Sequence, residues 1–310
     1  MTAPTKRLIA RLSAITLQAA IGLFFVGSAV GKIIDIDTFE IYLYSFGFIS
    51  LPVAMVGARV VIVIELLIGA ALIGGIAPRR TTLAALLMVL MFTLFLVAAI
   101  WMGRDGNCHC MGSLVSLSAG WSLVKNAVLA VLLLILLRIT LYQWHLRWFF
   151  VLPVALLIAG SVFAISMPDN WMYGSSNEQY DHQLLTSLAQ KGEPLEESNI
   201  LVGKHIVVMA SDGCPYCHKA LQKLHTIANR HNISEEQFIV IVPQQETSHR
   251  WDDDIPQLQG RRYSISVAQF LHLTYGQRPI IVLIEDGTAA ATFHYRNIDE
   301  ERIATFLNHE

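Results

Sequence analysis

Charge is scarce in this chain. Only 15% of its 310 residues are Asp, Glu, Lys or Arg, against 54% hydrophobic. A mean hydropathy of +0.50 is too high for a soluble protein. The formal net charge is −2, so there is no basic excess and nucleic acid is not an expected partner. Cysteine is scarcer still. The four cysteines, Cys108, Cys110, Cys214 and Cys217, form two close pairs with no spare thiol. Four cysteines in so long a chain do not build a disulfide scaffold, and paired thiols suit redox work in an oxidising compartment. A structural zinc site would need a second Cys-x-x-Cys to complete it, and none is present.

Apolar length is what the chain has in abundance. Hydropathy predicts five membrane-spanning helices, at 8–31, 54–76, 82–103, 121–141 and 148–167. Gly27-Ser28-Ala29 looks like a signal-peptide cleavage site, but the apolar stretch before it is longer than a usual signal core, so a retained helix is predicted. Orientation follows the positive charges. Lys6, Arg7, Arg11, Arg79, Arg80, Arg138 and Arg147 fall on one side. The opposite loops hold Lys32 with Asp35, Asp37 and Glu40, and Arg104 with Asp105. The N-terminus is therefore expected in the cytoplasm. Residues 104–120 and everything after 168 are expected outside, which puts both cysteine pairs in one oxidising compartment.

The second half reads differently. Residues 169–202 are polar and are expected to be a linker with one short helix near 181–190. A strand is predicted at 204–210, a helix at 214–231 with Leu221, Leu224, Ile227 and Ala228 on one face, and a strand at 238–242. A polar insertion, 244–262, carries Trp251 and Asp252-Asp253-Asp254. A helix near 265–275 leads to Arg278-Pro279, a hairpin of strands 280–284 and 289–294 around Asp286-Gly287, and a helix at 298–308.

Cys214-Pro215-Tyr216-Cys217 stands where the first of these strands turns into a helix. Unpaired N–H groups and the partial positive charge of a helix start favour thiolate over thiol there. A second thiol one turn on can attack a mixed disulfide. With Arg278-Pro279 and the element order, residues 200–310 resemble the thioredoxin-like superfamily. Pro215-Tyr216 is the dipeptide of glutaredoxins, while the insertion at 244–262 is more like that of periplasmic thioredoxin-like proteins that accompany membrane redox partners. The resemblance implies that Pro279 is a cis-proline facing the two thiols and that the Arg278 backbone docks an extended peptide. From the residues alone, an ordinary trans-proline opening a strand fits as well.

The membrane half resembles the MauE/DoxX-like family across 15–140. The carrying residues are Phe25-Val26-Gly27 with Gly31-Lys32, then Glu65-Leu66-Leu67-Ile68-Gly69, then Asn107-Cys108-His109-Cys110-Met111-Gly112 and Lys125-Asn126. Met111 stands where that family usually has Phe. The resemblance implies disulfide chemistry on partner proteins. It divides the chain into a MauE/DoxX-like helical domain (1–145), a fifth transmembrane helix (146–168), a linker (169–202) and a thioredoxin-like domain (203–310). The expected architecture is a membrane all-α bundle, a four-helix core plus a fifth helix, followed by an α/β domain. The setting it implies is the inner membrane of a bacterium, with the α/β domain in the periplasm.

Further residues of the membrane half stand out. Cys108 and Cys110 bracket a single residue, so a disulfide between them closes a small ring and is expected to be oxidising. His109 either favours a thiolate beside it or is only a polar loop residue. Glu65 lies near the middle of a predicted span, where a carboxylate is a functional candidate by default. It is expected to be protonated on a proton path, to pair with a cation from another helix, or to make a structural hydrogen bond, with Gln18 and Asn126 as candidate partners. Arg59 sits on another face of the same helix, and Lys32 is placed on a polar track towards the Cys108 loop.

The functional expectation is a relay from protein thiols to Cys214/Cys217, then to Cys108/Cys110, with a membrane quinone as acceptor and no tightly bound cofactor. No cysteine lies on the inner side to feed reduction. Reduction or isomerisation of periplasmic disulfides, copper(I) binding by the thiols, and a scaffold without turnover are the competing expectations.

Overall fold

The computed structural model describes residues 3–101, 118–138, 148–169, 179–244 and 257–308. It separates into two units, one of Met1–Glu40 with Met55–Met167 and one of Ile41–Ala54 with Pro168–Glu310.

The first unit is built from helices α1 (Ala3–Ile34), α3 (Leu51–Ile73), α4 (Pro78–Trp101), α5 (Ala119–Arg138) and α6 (Trp148–Ile165). The short α2 (Ile36–Tyr44) begins in this unit and ends in the second. Pro52 and Pro78 lie in the first turns of α3 and α4, where a missing N–H costs nothing. Gly75, at φ 59 just beyond α3, takes the left-handed conformation that ends a helix.

Four helices among the described residues are long and apolar enough to cross a membrane: Leu12–Ile34, Leu51–Ile73, Pro78–Trp101 and Gly120–Arg138. The fifth predicted span falls on α6, whose segment Pro153–Ile165 is apolar but shorter than a full crossing. Ile21, Phe25, Ile68, Leu72, Ala85, Val89, Leu133 and Leu136 form the shared core. Leu23, Leu87, Leu94, Val131 and Leu157 stay exposed, as side chains facing lipid would. Trp101 and Trp121 are exposed near span ends, the level at which indoles sit in a bilayer.

Two glycines let α1 and α3 approach. A Cβ on Gly22 would lie 2.8 Å from the Gly69 carbonyl, and one on Gly69 would lie 2.8 Å from the Gly22 carbonyl. Helices pack this closely in a membrane only where both backbones are bare.

The second unit holds a five-stranded mixed sheet, β1 (Lys204–Met209), β2 (Phe238–Pro243), β3 (Arg261–Ile265), β4 (Ile280–Glu285) and β5 (Thr288–His294), in the order β3-β2-β1-β4-β5. β1, β2 and β3 run parallel, and β4 and β5 run antiparallel. Helices α7 (His182–Leu188), α8 (Pro215–His231), α9 (Val267–Thr274) and α10 (Glu300–Asn308) complete it. Leu221, Leu224, Ile227 and Ala228 of α8 are buried, as their spacing predicts. Ser266 and Gln269 form a capping box at the start of α9.

Two expectations change here. Residues 244–262 were expected to be wholly an insertion, yet Arg261–Ile265 is an edge strand pairing with β2. Of its five residues only Ile265 is buried, so its sequence has the polarity of a loop. Residues 179–202, expected as linker, are part of the folded unit. Leu185, Leu188, Leu195 and Ile200 join Val207, Ile239, Phe270 and Val282 in one core, each leucine contributing about 1.5–3 kcal/mol when fully buried. The Asp181 N–H donates to the Leu273 carbonyl, fixing the start of α7 to α9.

Candidate functional site

In the second unit, Cys214 is the N-cap of α8. Its backbone is extended (φ −107, ψ 110), Pro215 opens the helix, and its sulfur accepts the Cys217 N–H at 3.3 Å. The proline ring suits the first helical position because its φ is already helical. Both cysteines are free thiols, Cys214 8% exposed and Cys217 1%. A hydrogen bond from the Cys217 thiol does most to lower Cys214, and the Cys217 and Tyr216 N–H groups and the Arg278 guanidinium add to it against the opposing effect of burial. The Cys214 thiol is brought down to about 6. Burial, then the neighbouring Cys214 sulfur and its charge, push the Cys217 thiol up.

Antiparallel pairing of β1 with β4 sets Met209 opposite Ile280. The residues just beyond, Ala210–Cys214 on one side and Arg278-Pro279 on the other, therefore face each other. The Arg278–Pro279 peptide is cis, as the resemblance implied, and Pro279 is buried while Arg278 is exposed. Arg278 Nη1 donates to Ser211 Oγ at 3.2 Å. Asp212 pairs with Arg262 at 3.5 Å. His218 bonds the Asp212 carbonyl at 2.8 Å and Gln257 at 3.1 Å. Tyr216 is 47% exposed and packs on the buried Tyr295, ring centroids 5.4 Å apart. The roles of Ser211, Arg262, Gln257 and Tyr295 had no sequence signal, because all four come from elements far along the chain or from unremarkable loop positions.

A depressed Cys214 has a direct consequence. A thiol titrating at about 6 is mostly thiolate at pH 7, so alkylation of the reduced protein by iodoacetamide should rise with a midpoint near pH 6 and plateau well below the ordinary thiol range. The sign for stability follows from proton counting. Between about 6 and the ordinary 9.0, the unfolded chain holds a proton that folded Cys214 has released, so the reduced protein gains stability as pH rises through that window. The gain is lost as pH falls through about 6. A midpoint near 9 would contradict the arrangement.

In the first unit, Glu65 is not alone. Lys32 Nζ lies 2.8 and 2.9 Å from its two carboxylate oxygens and 2.8 Å from Ser28 Oγ, which also reaches Glu65 at 3.3 Å. Lys32 is 0% and Glu65 3% exposed. Phe39 and Phe92 rings lie 5.6 and 5.3 Å from the ammonium. Of the expected partners, the cation from another helix is the one present. Gln18 instead bonds the Leu72 carbonyl and Asn126 bonds Thr93. Lys32 is thus committed to Glu65. Arg59 faces elsewhere, as its spacing required, and pairs with Glu40 while donating to the Met55, Ser166 and Met167 carbonyls. Cys108, His109 and Cys110 lie outside the described residues.

Helices of this length and polarity, followed by an α/β unit with a mixed sheet, define a membrane protein with an attached globular region. Residues 10–139 match the model of the family described as methylamine utilisation protein MauE. The match covers the stretch carrying Lys32, Glu65, Cys108 and Cys110, and so bears out the MauE resemblance of the membrane half. No curated protein and no solved structure matches the chain.

Proposed function

We propose that this protein is a membrane-bound thiol–disulfide oxidoreductase that oxidises protein thiols through Cys214/Cys217 and passes the electrons to Cys108/Cys110. The observation that carries the reading is the lowered Cys214 beside a buried Cys217. A pair whose reduced form is stabilised as thiolate is a stronger oxidant, because reduction of its disulfide is favoured. The strand order, the helix starting at Cys214 and the cis Arg278–Pro279 bond support a thioredoxin-like fold for residues 203–310. The MauE match supports a membrane partner in a redox-related pathway.

The exchange proceeds in two attacks. A client thiolate attacks Cys214 Sγ of the Cys214–Cys217 disulfide, because Cys217 is shielded. The S–S bond breaks and Cys217 leaves, taking up a proton. A second client thiolate then attacks the client sulfur of the mixed disulfide and expels Cys214, a good leaving group at its lowered value. The client has lost two electrons and two protons. Cys214 thiolate next attacks a Cys108–Cys110 disulfide, and Cys217 resolves the adduct, which leaves Cys108 and Cys110 reduced. A membrane quinone is the class of acceptor we propose for reoxidising them. The buried donors Lys32 and Ser28 are taken by Glu65, which argues against that ion pair as its site.

Topology supports a common compartment. Arg59, in the N-terminal half of α3, holds the carbonyls at the end of α6, so both ends share a face. α4 returns to the face that α3 left, and the chain runs on into Cys108 and Cys110 from there. A shared face for the start of α3 and the end of α6 is what five crossings would produce. Trapping the redox state of all four cysteines in cells with and without quinone tests the direction. Both pairs should accumulate reduced on depletion, and pairs that stayed oxidised would refute an oxidase.

A further inference from the structure

The charge around Cys214 runs against the charge of its own unit. Residues 168–310 hold 11 Lys or Arg against 19 Asp or Glu, a net of −8. Yet the segments that frame the thiol, 205–220 and 266–284, contain a single carboxylate, Asp212, and it is paired with Arg262. Among the described residues, three cations lie around the site, one of them, Arg262, paired with Asp212. Arg278 is exposed on the loop facing Cys214 and gives one guanidinium nitrogen to Ser211, three residues before Cys214. Arg262 is 39% exposed on the edge strand. Lys219, one turn into α8, lies over the exposed Tyr216 ring at 5.9 Å.

From this local reversal of sign we infer that the surface around Cys214 selects client segments whose cysteine is flanked by acidic side chains, with Arg278 as the main specificity-determining residue. The inference rests on the thiol–disulfide reading above and adds to it the chemistry of the client. An extended segment whose sulfur reaches Cys214 passes the loop carrying Arg278. A carboxylate beside its cysteine meets that guanidinium, and a lysine there meets repulsion from Arg278 and Lys219, the charge of Arg262 being balanced by Asp212. Complementary charge of this kind acts on encounter and on discrimination between partners more than on tight binding. The unit as a whole, at −8, gives acidic clients no general attraction, so any preference for them comes from this rim.

The test uses the full-length oxidised protein in nanodiscs with two otherwise identical dithiol peptides, one with Glu and one with Lys on both sides of the attacking cysteine. In a single turnover the Glu peptide should be oxidised with a second-order rate constant about tenfold higher at low salt, the size expected of about two half-exposed charge contacts. That ratio should shrink to about twofold at 0.5 M salt, where such contacts are screened. Arg278→Ala should bring the low-salt ratio down to about threefold, the share left to Lys219, and Arg278→Lys should keep most of the tenfold. A change in Cys214 reactivity caused by either substitution moves both peptides alike and leaves the ratio untouched. Equal rates for the two peptides, or a preference for Lys, with dithiothreitol oxidation intact, would overturn the charge selection and leave the oxidoreductase reading standing. No exchange with dithiothreitol or with either peptide would overturn both.

Discussion

Cys217→Ser should convert a transient species into a stable one. With its resolving thiol gone, Cys214 forms mixed disulfides that nothing inside the unit can release. Non-reducing gels of membranes should show Cys214 linked to client proteins, and peptide mapping should show a Cys214 link to Cys108 or Cys110. Adding Cys214→Ser to that variant should remove every adduct. Alone, Cys214→Ser should lower client oxidation by about a thousandfold or more, because without a Cys214–Cys217 disulfide there is no sulfur for the client thiolate to attack and no oxidising equivalent to pass on. The Cys214 position makes this asymmetric. It is the helix cap, with its sulfur held by the Cys217 N–H, and Cys217 is sealed at 1% exposure. Client adducts without any Cys108 or Cys110 link would dismantle the relay, leaving an oxidoreductase with a different electron acceptor.

Lys32→Met is expected to be the most damaging single change in the membrane half. It leaves the Glu65 carboxylate among Phe39, Phe92 and the helix cores without its ammonium, and breaking a buried pair from one side costs about 3–5 kcal/mol. The double variant Lys32→Met with Glu65→Leu should recover most of that, since replacing both charges by apolar groups of similar size is close to neutral. Unfolding in bicelles gives all four corners of the cycle. A cost below about 1 kcal/mol for Lys32→Met, or additive effects of the two changes, would show that the pair does not hold α1 against α3. Turnover measured alongside separates structure from function. If the double variant is stable and fully active, Glu65 serves packing only.

The sequence was legible unevenly, and for physical reasons. Cys214-Pro215-Tyr216-Cys217 at a strand-to-helix turn is a local pattern, and the N-cap geometry follows from it directly. The four long spans are equally local, since each needs only enough consecutive apolar residues. The edge strand Arg261–Ile265 was hidden because an exposed edge buries one side chain in five and carries the polarity of a loop. The short helix within 179–202 was legible, but its place in the core was not, because seven residues are too few to show which face is buried. Its Leu185 and Leu188 acquire meaning only against Phe270 and Val282, about 80 to 100 residues later.

Glu65 shows the same division within one residue. Its depth in a span marked it out from sequence, since a carboxylate there demands an explanation. From sequence its partner was open between Gln18, Asn126 and an unspecified cation on another helix, and which group faces Glu65 depends on how α1 and α3 cross. Gly22 and Gly69 set that crossing by letting two carbonyls approach within 2.8 Å of the opposing Cβ positions, and the crossing brings Lys32 and Ser28 to Glu65. Local composition and spacing, in short windows, determine the spans, the thiol motif and four of the five strands. Contacts between residues tens of positions apart decide which charges meet, which polar stretch folds, and how low the Cys214 thiol falls, because burial and distance exist only once the chain has packed.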